Sequence, residues 1–280
     1  MEMKTLPGVG AEISGVDLRH LSAAEDATIR KAFVDQGVIF FRGQDLSEDD
    51  HIAFAERFGE INVNRFFAAH PAYPQIAMVA KDVEDRDNIG GGWHTDHSYD
   101  VEPALGSVLV ARELPDSGGD TRFASMYRAF ETLPEPLKQE IEGKRAIHSA
   151  RHIFGKAQTS YYSTSDAGND KRIGNAAVAD TLTDVTHPIV ITHPLSGKKA
   201  LYVNPAFTIG IEGMDEAAGK ALLQRLYAHA MKAEHVYQFK WEPGSIAFWD
   251  NRSTWHWALN DYHGQRRVMH RITIEGCALN

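Results

Sequence analysis

The sequence predicts a mainly β protein with flanking helices, built as a jelly roll in a single domain over residues 1–280. From residue 76 onward, short runs of β-branched and aromatic residues recur, and Gly, Pro, Asn and Asp separate them. All-β barrels and sandwiches of 280 residues are commonly single domains, and no linker divides the chain. Many short strands with polar turns are typical of a jelly roll, in which a metal site can lie inside.

The N-terminal part predicts two helices around a buried strand. Ser22 and Glu25 have the spacing of a capping box, which predicts a helix from about residue 22 to 36. The continuous apolar run 38–41 is short enough to be a buried strand. Ser47 can then cap a second helix.

The rest of the chain carries the strand pattern with two helical interruptions. The predicted strands are 76–79, 107–110, 189–191, 200–203, 246–249 and 268–274. Helices are predicted at 134–142 and 215–233, and the apolar positions of the second suit packing against the outside of a sheet. Residues 155–187 are polar and predict a loop, which is either a mobile cover over the site or an ordinary surface loop.

Composition and charge exclude several classes of partner. The formal net charge of −9 argues against nucleic acid and anionic membranes, because both require a basic surface. Cys277 is the only cysteine, which excludes an internal disulfide and a cysteine-based zinc site. The sequence has neither a signal-peptide pattern nor an apolar run of about 18 residues, so we expect a cytoplasmic protein without membrane contact.

The most informative motif is Trp93-His94-Thr95-Asp96, which follows three glycines. In an extended strand, His94 and Asp96 would project to one side and Thr95 to the other. This spacing suits two neighbouring ligands on one metal ion. A third ligand from a distant strand would complete the 2-His-1-carboxylate arrangement of non-haem Fe(II) oxygenases, whose opposite face stays open for other ligands.

His256 is the predicted third ligand because of its surroundings. It follows the predicted core strand 246–249 through a turn-like run, and it lies between Trp255 and Trp257. Spacing alone does not select it. The other candidates are His187, His193, His229, His235, His263 and His270. The alternative interpretation of His256 is a histidine packed in the core between the two tryptophans.

Two arginines in the last predicted strand form a candidate anion site. Arg267 and Arg271 are four positions apart, so they share a face of the strand. If that face looks into the barrel, each buried guanidinium needs a compensating anion. A ligand carboxylate or sulfonate could supply the charge, because the planar guanidinium makes paired hydrogen bonds to such groups. Alternatively, both arginines pair with acidic residues of the protein. Arg266 should face outward.

Seven motifs along almost the whole chain point in the same direction. They are residues 10–18, Phe41-Arg42-Gly43-Gln44, Arg57-Phe58-Gly59, Trp93-His94-Thr95-Asp96, residues 117–121, Trp249-Asp250-Asn251-Arg252 and residues 265–271. Together they resemble the Fe(II)/2-oxoglutarate-dependent dioxygenases of the taurine dioxygenase and 2,4-dichlorophenoxyacetate dioxygenase type. The resemblance implies a double-stranded β-helix with His94, Asp96 and His256 on Fe(II).

The same resemblance implies the cosubstrates and further site residues. Thr121 and Arg267 would bind the distal carboxylate of 2-oxoglutarate, whose keto acid end chelates the iron. Arg271 would lie nearer the prime substrate and meet its anionic group, although in some relatives the corresponding arginine also touches the cosubstrate. O2 and 2-oxoglutarate would be consumed, succinate and CO2 released, and a substrate C–H hydroxylated, with C–O or C–S cleavage where that carbon bears oxygen or sulfur. No catalytic residue beyond the iron ligands is implied.

The predicted substrate differs from taurine. Counting from Arg57-Phe58-Gly59, Asn64 stands where taurine enzymes have a histidine that contacts the sulfonate, and Phe67 stands at a tyrosine position. Asparagine donates a hydrogen bond but carries no charge, while Phe66 and Phe67 offer apolar surface. We therefore expect a small anionic substrate with an apolar body, of the aryloxyalkanoate, alkyl sulfate or sulfonate type.

Two other classes of function remain open from the residues alone. One is a non-oxidative isomerase or hydrolase that uses the same ligands on another metal. The other is a catalytically silent binding or scaffolding protein. Relatives of the family are often dimers or tetramers, so the resemblance also suggests a homo-oligomer.

Overall fold

The structure is a computed structural model and describes residues 1–155 and 181–280. Its strands are β1 (Glu2–Thr5), β2 (Ala11–Ser14), β3 (Val38–Phe41), β4 (Ile61–Asn62), β5 (Ala69–His70), β6 (Tyr73–Lys81), β7 (Gly106–Glu113), β8 (Thr121–Ser125), β9 (Arg145–His148), β10 (Val185–Pro188), β11 (Val190–Thr192), β12 (Lys199–Leu201), β13 (Thr208–Ile211), β14 (Val236–Phe239), β15 (Ile246–Asp250), β16 (Thr254–Ala258) and β17 (Arg267–Ile274). The helices are α1 (Ala23–Gln36), α2 (Glu48–Glu56), α3 (Met126–Glu131), α4 (Glu135–Ile141), α5 (Arg151–Phe154) and α6 (Glu216–Ala230), and a 3-10 helix spans Ala233–His235.

Most of these strands belong to two facing sheets. The large sheet has the order β1-β2-β3-β15-β7-β17-β6-β5, and β4 pairs with β17. The opposing sheet has the order β14-β8-β16. Strands β10-β9-β13 and β11-β12 form two further small sheets. A mainly β architecture with flanking helices was predicted, and this prediction is confirmed.

Aromatic side chains fill the space between the two facing sheets. Phe40 of β3 stacks on Phe239 of β14 with ring centroids 4.2 Å apart. The edge of the same ring meets Phe123 of β8, with 5.3 Å between centroids. Offset and edge-to-face ring pairs stabilise a core beyond the area that they bury. These contacts therefore hold β8 and its neighbour β16 at a fixed distance from the large sheet.

Helices α1 and α2 cover the outer face of the large sheet. Phe33 of α1 stacks on Phe248 of β15, with centroids 4.0 Å apart, and Phe54 of α2 meets the same ring at 6.1 Å. Trp249, the next residue of β15, points to the opposite face and contacts Phe123 at 5.8 Å. Because both faces of β15 are buried, its sequence is a continuous apolar run rather than an alternating one.

The structure of α1 confirms the helix that the capping box predicted. Ser22 and Glu25 form both hydrogen bonds of the capping box, and the helix ends at Gly37, where φ is 75°. Only glycine adopts this left-handed conformation without steric cost, which explains the sharp end of the helix. Ser47 caps α2 in the same way, through Asp50.

One prediction within residues 155–187 was wrong. Residues 185–188 form β10, which pairs with β9 at the edge of a small sheet. The strand contains Thr186 and His187 and ends at Pro188, and a polar edge strand with a proline gives little sequence signal. Residues 156–180 lie outside the described residues, so the prediction of a covering loop there stays a prediction.

The large sheet contains strands from residue 2 to residue 274. The single-domain organisation over residues 1–280 stays a prediction. Within the described parts of the chain, each helix is too short or too polar to span a lipid bilayer.

Candidate metal centre

The three predicted metal ligands lie together in the interior. Nε2 of His94 is 3.7 Å from Oδ1 of Asp96, and Nε2 of His256 is 3.6 Å from Oδ2 of the same carboxylate. The two imidazole centroids are 4.0 Å apart. Metal–ligand bonds of about 2.1 Å place neighbouring ligands of an octahedral ion about 3 Å apart, so these atoms need only a small adjustment to bind one metal. Of the seven candidate histidines, His256 is the one found with His94 and Asp96 among the described residues.

Backbone pairing places the two histidines opposite each other. The His94 amide donates to the carbonyl of His256 at 3.1 Å, and the His256 amide donates to the carbonyl of His94 at 2.8 Å. His256 belongs to β16, whereas His94 forms an isolated bridge and Asp96 begins a turn. The extended backbone considered for the His94–Asp96 motif therefore ends before Asp96, where the chain turns. The next residue, His97, has a φ of 60°, which is uncommon for a residue other than glycine.

Hydrogen bonds around the ligands fix their orientation. Nδ1 of His94 lies 2.8 Å from the carbonyl of Gly92, so this nitrogen donates and Nε2 is available to bind a metal. The Thr95 hydroxyl donates to the carbonyl of Asn251, which directs the Thr95 side chain away from the ligands, as predicted. Nη1 of Arg271 donates to Oδ2 of Asp96 at 3.1 Å.

Burial and neighbouring charges set the protonation states of the three ligands. Burial lowers the pKa of His94, and burial together with the proximity of His94 lowers the pKa of His256 well below its usual range. Burial alone would raise the pKa of Asp96, but the charge of the neighbouring Arg271 guanidinium outweighs it and holds that pKa below its usual range. Neutral imidazoles and an ionised carboxylate are the forms that bind metals. The donor set therefore fits Fe(II).

A second group of metal-binding residue types lies on the outer face of the large sheet. Glu48, His70 and His270 offer ligand atoms within 4.8 Å of one another. Arg112 already lies there, because its Nε donates to Nδ1 of His270 at 3.1 Å and its Nη2 is 3.5 Å from Oε1 of Glu48. A guanidinium in this position neutralises the carboxylate and repels a metal ion. We interpret this group as an ion-pair network.

Arg267 lies at the start of β17 with its side chain in the interior. It is 4% exposed, and its Cζ lies 5.7 Å from the centroid of the Trp241 ring. Its Nε and Nη2 are buried and make no hydrogen bond within the described chain. Thr121 lies in the same pocket, since its hydroxyl accepts a hydrogen bond from Nε1 of Trp241 at 3.0 Å. The two residues predicted to hold a distal carboxylate thus contact one tryptophan.

Gly119 makes room for the Arg267 side chain. A Cβ at this glycine would lie 3.2 Å from Cδ of Arg267, and the glycine φ of 72° is strained for other residues. The motif at residues 117–121 therefore has two contributions to the pocket. It supplies Thr121, and it lets the backbone pass close to the guanidinium.

Arg271 shares the inward face of β17 with Arg267, as predicted. It is 5% exposed and binds Asp96, while its Nε and Nη2 are buried without a hydrogen-bond partner among the residues described. Its Cζ lies 4.6 Å from the centroid of the Phe67 ring, a cation–π distance. Among the residues that the structure describes, pairing with a protein carboxylate thus holds for Arg271 and not for Arg267. Arg266 faces outward and pairs with surface carboxylates.

The predicted substrate residues Asn64 and Phe67 lie on the loop between β4 and β5. Oδ1 of Asn64 accepts hydrogen bonds from the amides of Phe66 and Phe67, both at 2.9 Å. Both hydrogen bonds use the side-chain oxygen of Asn64. Its Nδ2 is buried and has no partner in the part of the chain that is described. Phe67 also packs edge-to-face against Phe154 at 6.2 Å. The structure therefore brings Phe67 and Arg271 into contact, with Asn64 in the same turn.

Sequence reasoning missed three residues around Arg267. Trp241 lies outside every predicted strand, and nothing in its local sequence marked it. Lys81 is almost completely buried, and its Nζ lies 4.3 Å from the centroid of the Tyr262 ring. Extending the alternation of the strand at 76–79 by two residues would have placed Lys81 on the inward face.

Comparison with known proteins identifies the family. Residues 2–273 match the family model described as "Taurine catabolism dioxygenase TauD, TfdA family". The chain belongs to this family. It is accordingly a 2-oxoglutarate-dependent non-haem iron dioxygenase, and the predicted enzyme class, cofactors and double-stranded β-helix are confirmed. The non-oxidative alternative is not favoured.

Named relatives cover almost the whole chain. An alkylsulfatase of Acinetobacter baylyi is 34% identical over 99% of this chain and 85% of the relative. An alpha-ketoglutarate-dependent 2,4-dichlorophenoxyacetate dioxygenase of Cupriavidus pinatubonensis is 35% identical over 95% of this chain and 94% of the relative. The crystal structure of a taurine dioxygenase from Burkholderia xenovorans is 32% identical with a TM-score of 0.82, and the match covers 99% of this chain and 90% of that one.

Proposed function

We propose that this dioxygenase hydroxylates a small organic anion with an apolar body, of the alkyl sulfate or aryloxyalkanoate type. The observation that carries the proposal is Arg271, a buried guanidinium that binds Asp96 through one nitrogen and has two further nitrogens without hydrogen-bond partners in the described part of the chain. The names of two relatives specify an alkyl sulfate and an aryloxyalkanoate as substrates. Hydroxylation of the carbon bonded to oxygen would give a hemiacetal-type product that collapses by C–O cleavage. An alkyl sulfate would yield an aldehyde and sulfate, and an aryloxyalkanoate would yield a phenol and a 2-oxo acid.

His94, Asp96 and His256 are the proposed iron ligands. Bound Fe(II), with 2-oxoglutarate and O2, supplies the oxidising chemistry. The chain holds the ligands in their metal-binding forms through burial, the Gly92 carbonyl and the Arg271 guanidinium. Because Arg271 donates to Asp96, the carboxylate stays ionised and in one orientation.

Arg267 and Thr121 are the proposed partners of the distal carboxylate of 2-oxoglutarate. Two nitrogens of Arg267 have no acceptor among residues 1–155 and 181–280, and leaving them unpaired in a buried pocket is costly. Thr121 already accepts from Trp241, so its own proton can be donated to a carboxylate oxygen. The two side chains would give the carboxylate both a charge and a direction.

Arg271, Asn64 and Phe67 are the proposed contacts of the prime substrate. Nε and Nη2 of Arg271 and Nδ2 of Asn64 are donors that lack acceptors among the described residues, and all three suit a sulfate or carboxylate group. The Phe67 ring, packed on Arg271 and Phe154, offers apolar surface beside that polar group. The chemistry of this wall is therefore anionic recognition next to an aromatic surface.

The test of this function is substrate-dependent succinate formation by the wild type and by Arg271→Met. We expect the wild type to turn over medium-chain alkyl sulfates or phenoxyacetates, with the KM for the anion about 10–100-fold higher in Arg271→Met because charge-assisted hydrogen bonds are lost. The KM for 2-oxoglutarate should change less than the KM for the anion, and an anaerobic Fe(II) titration of Arg271→Met measures separately the loss of the donor to Asp96. Arg266→Met removes an exposed charge from the neighbouring position and is the matched control.

Taurine is the alternative substrate that tests the proposed substrate class in this experiment. Turnover of taurine without activity on the larger anions would contradict the proposed substrate class and leave the enzyme class intact. An unchanged KM in Arg271→Met would remove Arg271 from substrate binding.

We also infer a homo-oligomer, a dimer or a tetramer, by analogy with the family, which light scattering on the purified protein would test. A cytoplasmic location is proposed because the single cysteine requires no oxidising compartment.

A further inference from the structure

Strand β1 (Glu2–Thr5) forms one edge of the large sheet. Among the described strands it pairs with β2, on one of its sides, and all four of its residues are exposed. The other side of an edge strand presents a row of main-chain N–H and C=O groups. Such a row is a template on which a further strand can pair by main-chain hydrogen bonds.

One face of β1 carries an exposed apolar side chain. Met3 lies opposite Ile13 of β2, so the two residues point to the same face of the sheet. Ile13 is buried in the core beneath α1 and α2, whereas Met3 is 50% exposed and Met1, just before the strand, is 42% exposed. The apolar face of the sheet therefore continues past the helices to the open edge.

The other face of β1 carries one negative and one positive charge, Glu2 and Lys4. If two copies of β1 pair antiparallel about a twofold axis at Met3, Glu2 of each copy lies opposite Lys4 of the second copy. The two Met3 side chains then face each other across the axis. An axis at Glu2 or at Lys4 would instead oppose two like charges, which destabilises a strand pair. The charges of β1 therefore favour self-pairing in the register centred on Met3.

We propose that two copies of this chain associate through β1, by antiparallel pairing of the two strands about Met3. The large sheets of the two copies would then continue into each other, in an interface that uses the same surface on both. The proposal rests on the homo-oligomer inferred above and names its surface. Because each copy contributes a strand of four residues, the contact is smaller than that of a stable dimer, and the dimer should dissociate on dilution.

The test is sedimentation velocity of the full chain over a dilution series. We expect a concentration-dependent equilibrium between monomer and dimer in the wild type. Lys4→Glu should weaken the dimer about 10-fold, because the twofold axis creates two oppositions of like charge from one substitution. Met3→Glu should weaken it at least as much, because it places two carboxylates against each other at the axis. The charge exchange Glu2→Lys with Lys4→Glu should restore the wild-type dissociation constant to within about twofold.

Lys220→Glu is the matched control, because it makes the same change of net charge at an exposed position of α6. It should leave the dissociation constant unchanged, and circular dichroism should show every variant to be folded. If Lys220→Glu weakens the dimer as much as Lys4→Glu does, the effect is one of net charge and the proposal is overturned. A charge exchange that does not restore association overturns it as well.

The outcomes separate this inference from the homo-oligomer itself. Wild type that is monomeric at every concentration would contradict both. Wild type that forms an oligomer of unchanged stability in Lys4→Glu and Met3→Glu would uphold the homo-oligomer and overturn the role of β1. If the wild type is a tetramer, a second surface must also take part, and the two variants should reduce the tetramer to a dimer.

Discussion

Asp96→Asn is expected to reduce turnover by roughly a thousandfold or more, because it removes the only anionic ligand of the proposed centre. Loss of a partner behind a ligand already costs about 10–100-fold, and the loss of a ligand should exceed that. The substitution also removes the negative charge that Arg271 binds at 3.1 Å. The effect should appear in metal affinity as well as in rate. Isothermal titration with Fe(II) under anaerobic conditions and succinate formation measure the two.

Asp96→Asn also leaves Arg271 buried without its carboxylate, which could disturb folding. A control variant must therefore separate loss of the metal ligand from loss of the fold. Asp100→Asn, in the same turn, removes a carboxylate that pairs with His97 and Arg65 and does not belong to the ligand group. It should retain Fe(II) binding. Wild-type Fe(II) affinity in Asp96→Asn, in protein of unchanged circular dichroism, would rule out Asp96 as a ligand.

Arg252→Met is expected to destabilise the fold by about 3–5 kcal/mol, because it leaves the Asp250 carboxylate buried without its cation. Nε and Nη2 of Arg252 donate to the two oxygens of Asp250 at 2.9 and 2.7 Å, and both side chains are almost fully buried. His193, 3.0 Å from the same carboxylate, would remain as a partner. Urea unfolding followed by fluorescence measures the loss.

An exposed ion pair provides the control for the stability cost of Arg252→Met. Arg225 and Glu140 form a pair in which both side chains are well exposed, so Arg225→Met should cost less than about 1 kcal/mol. A loss of similar size in Arg252→Met would show that the Asp250 pair does not stabilise the turn before β16.

The same pair predicts a direction for the pH dependence. Burial would raise the pKa of Asp250, but the charge and hydrogen bonds of Arg252 and His193 hold the pKa below its usual range in the folded protein. The stabilisation is therefore fully present above the unfolded pKa of about 4 and is lost as the pH falls towards the folded pKa. The contribution of Asp250 to the free energy of unfolding of the wild type should therefore be constant from about pH 7 to 5 and should fall in more acidic solution. In Arg252→Met, protonation of the uncompensated carboxylate should begin at higher pH, and urea unfolding at a series of pH values measures both profiles.

Local signals predicted most of the fold. The capping box of α1, the strand 38–41 and the core strands follow from spacing and side-chain type within a few residues. The polar edge strand β10 could not be predicted in this way, because its position depends on pairing with β9 rather than on its own hydrophobicity. Tertiary pairing decides such strands, and the sequence of the segment alone does not contain it.

The candidate site likewise contains residues that the local sequence predicts and others whose positions depend on tertiary structure. His94 and Asp96 were predictable because they are two residues apart and their types suit one metal. The turn that begins at Asp96 was not, because it depends on a left-handed conformation at His97, a residue that does not signal one. The contact of Arg271 with Asp96 joins positions 175 residues apart, and the opposition of Lys81 and Arg267 depends on strand register. Both need the folded chain.

The most direct test of the central claim is an anaerobic titration of the Fe(II) enzyme with 2-oxoglutarate, followed by the visible charge-transfer absorption of the chelate. We predict one equivalent of chelate in the wild type and about 100-fold weaker binding in Arg267→Met, which lacks the guanidinium proposed to hold the distal carboxylate. Folded wild-type protein that binds Fe(II) and develops no such band at saturating 2-oxoglutarate would contradict the account.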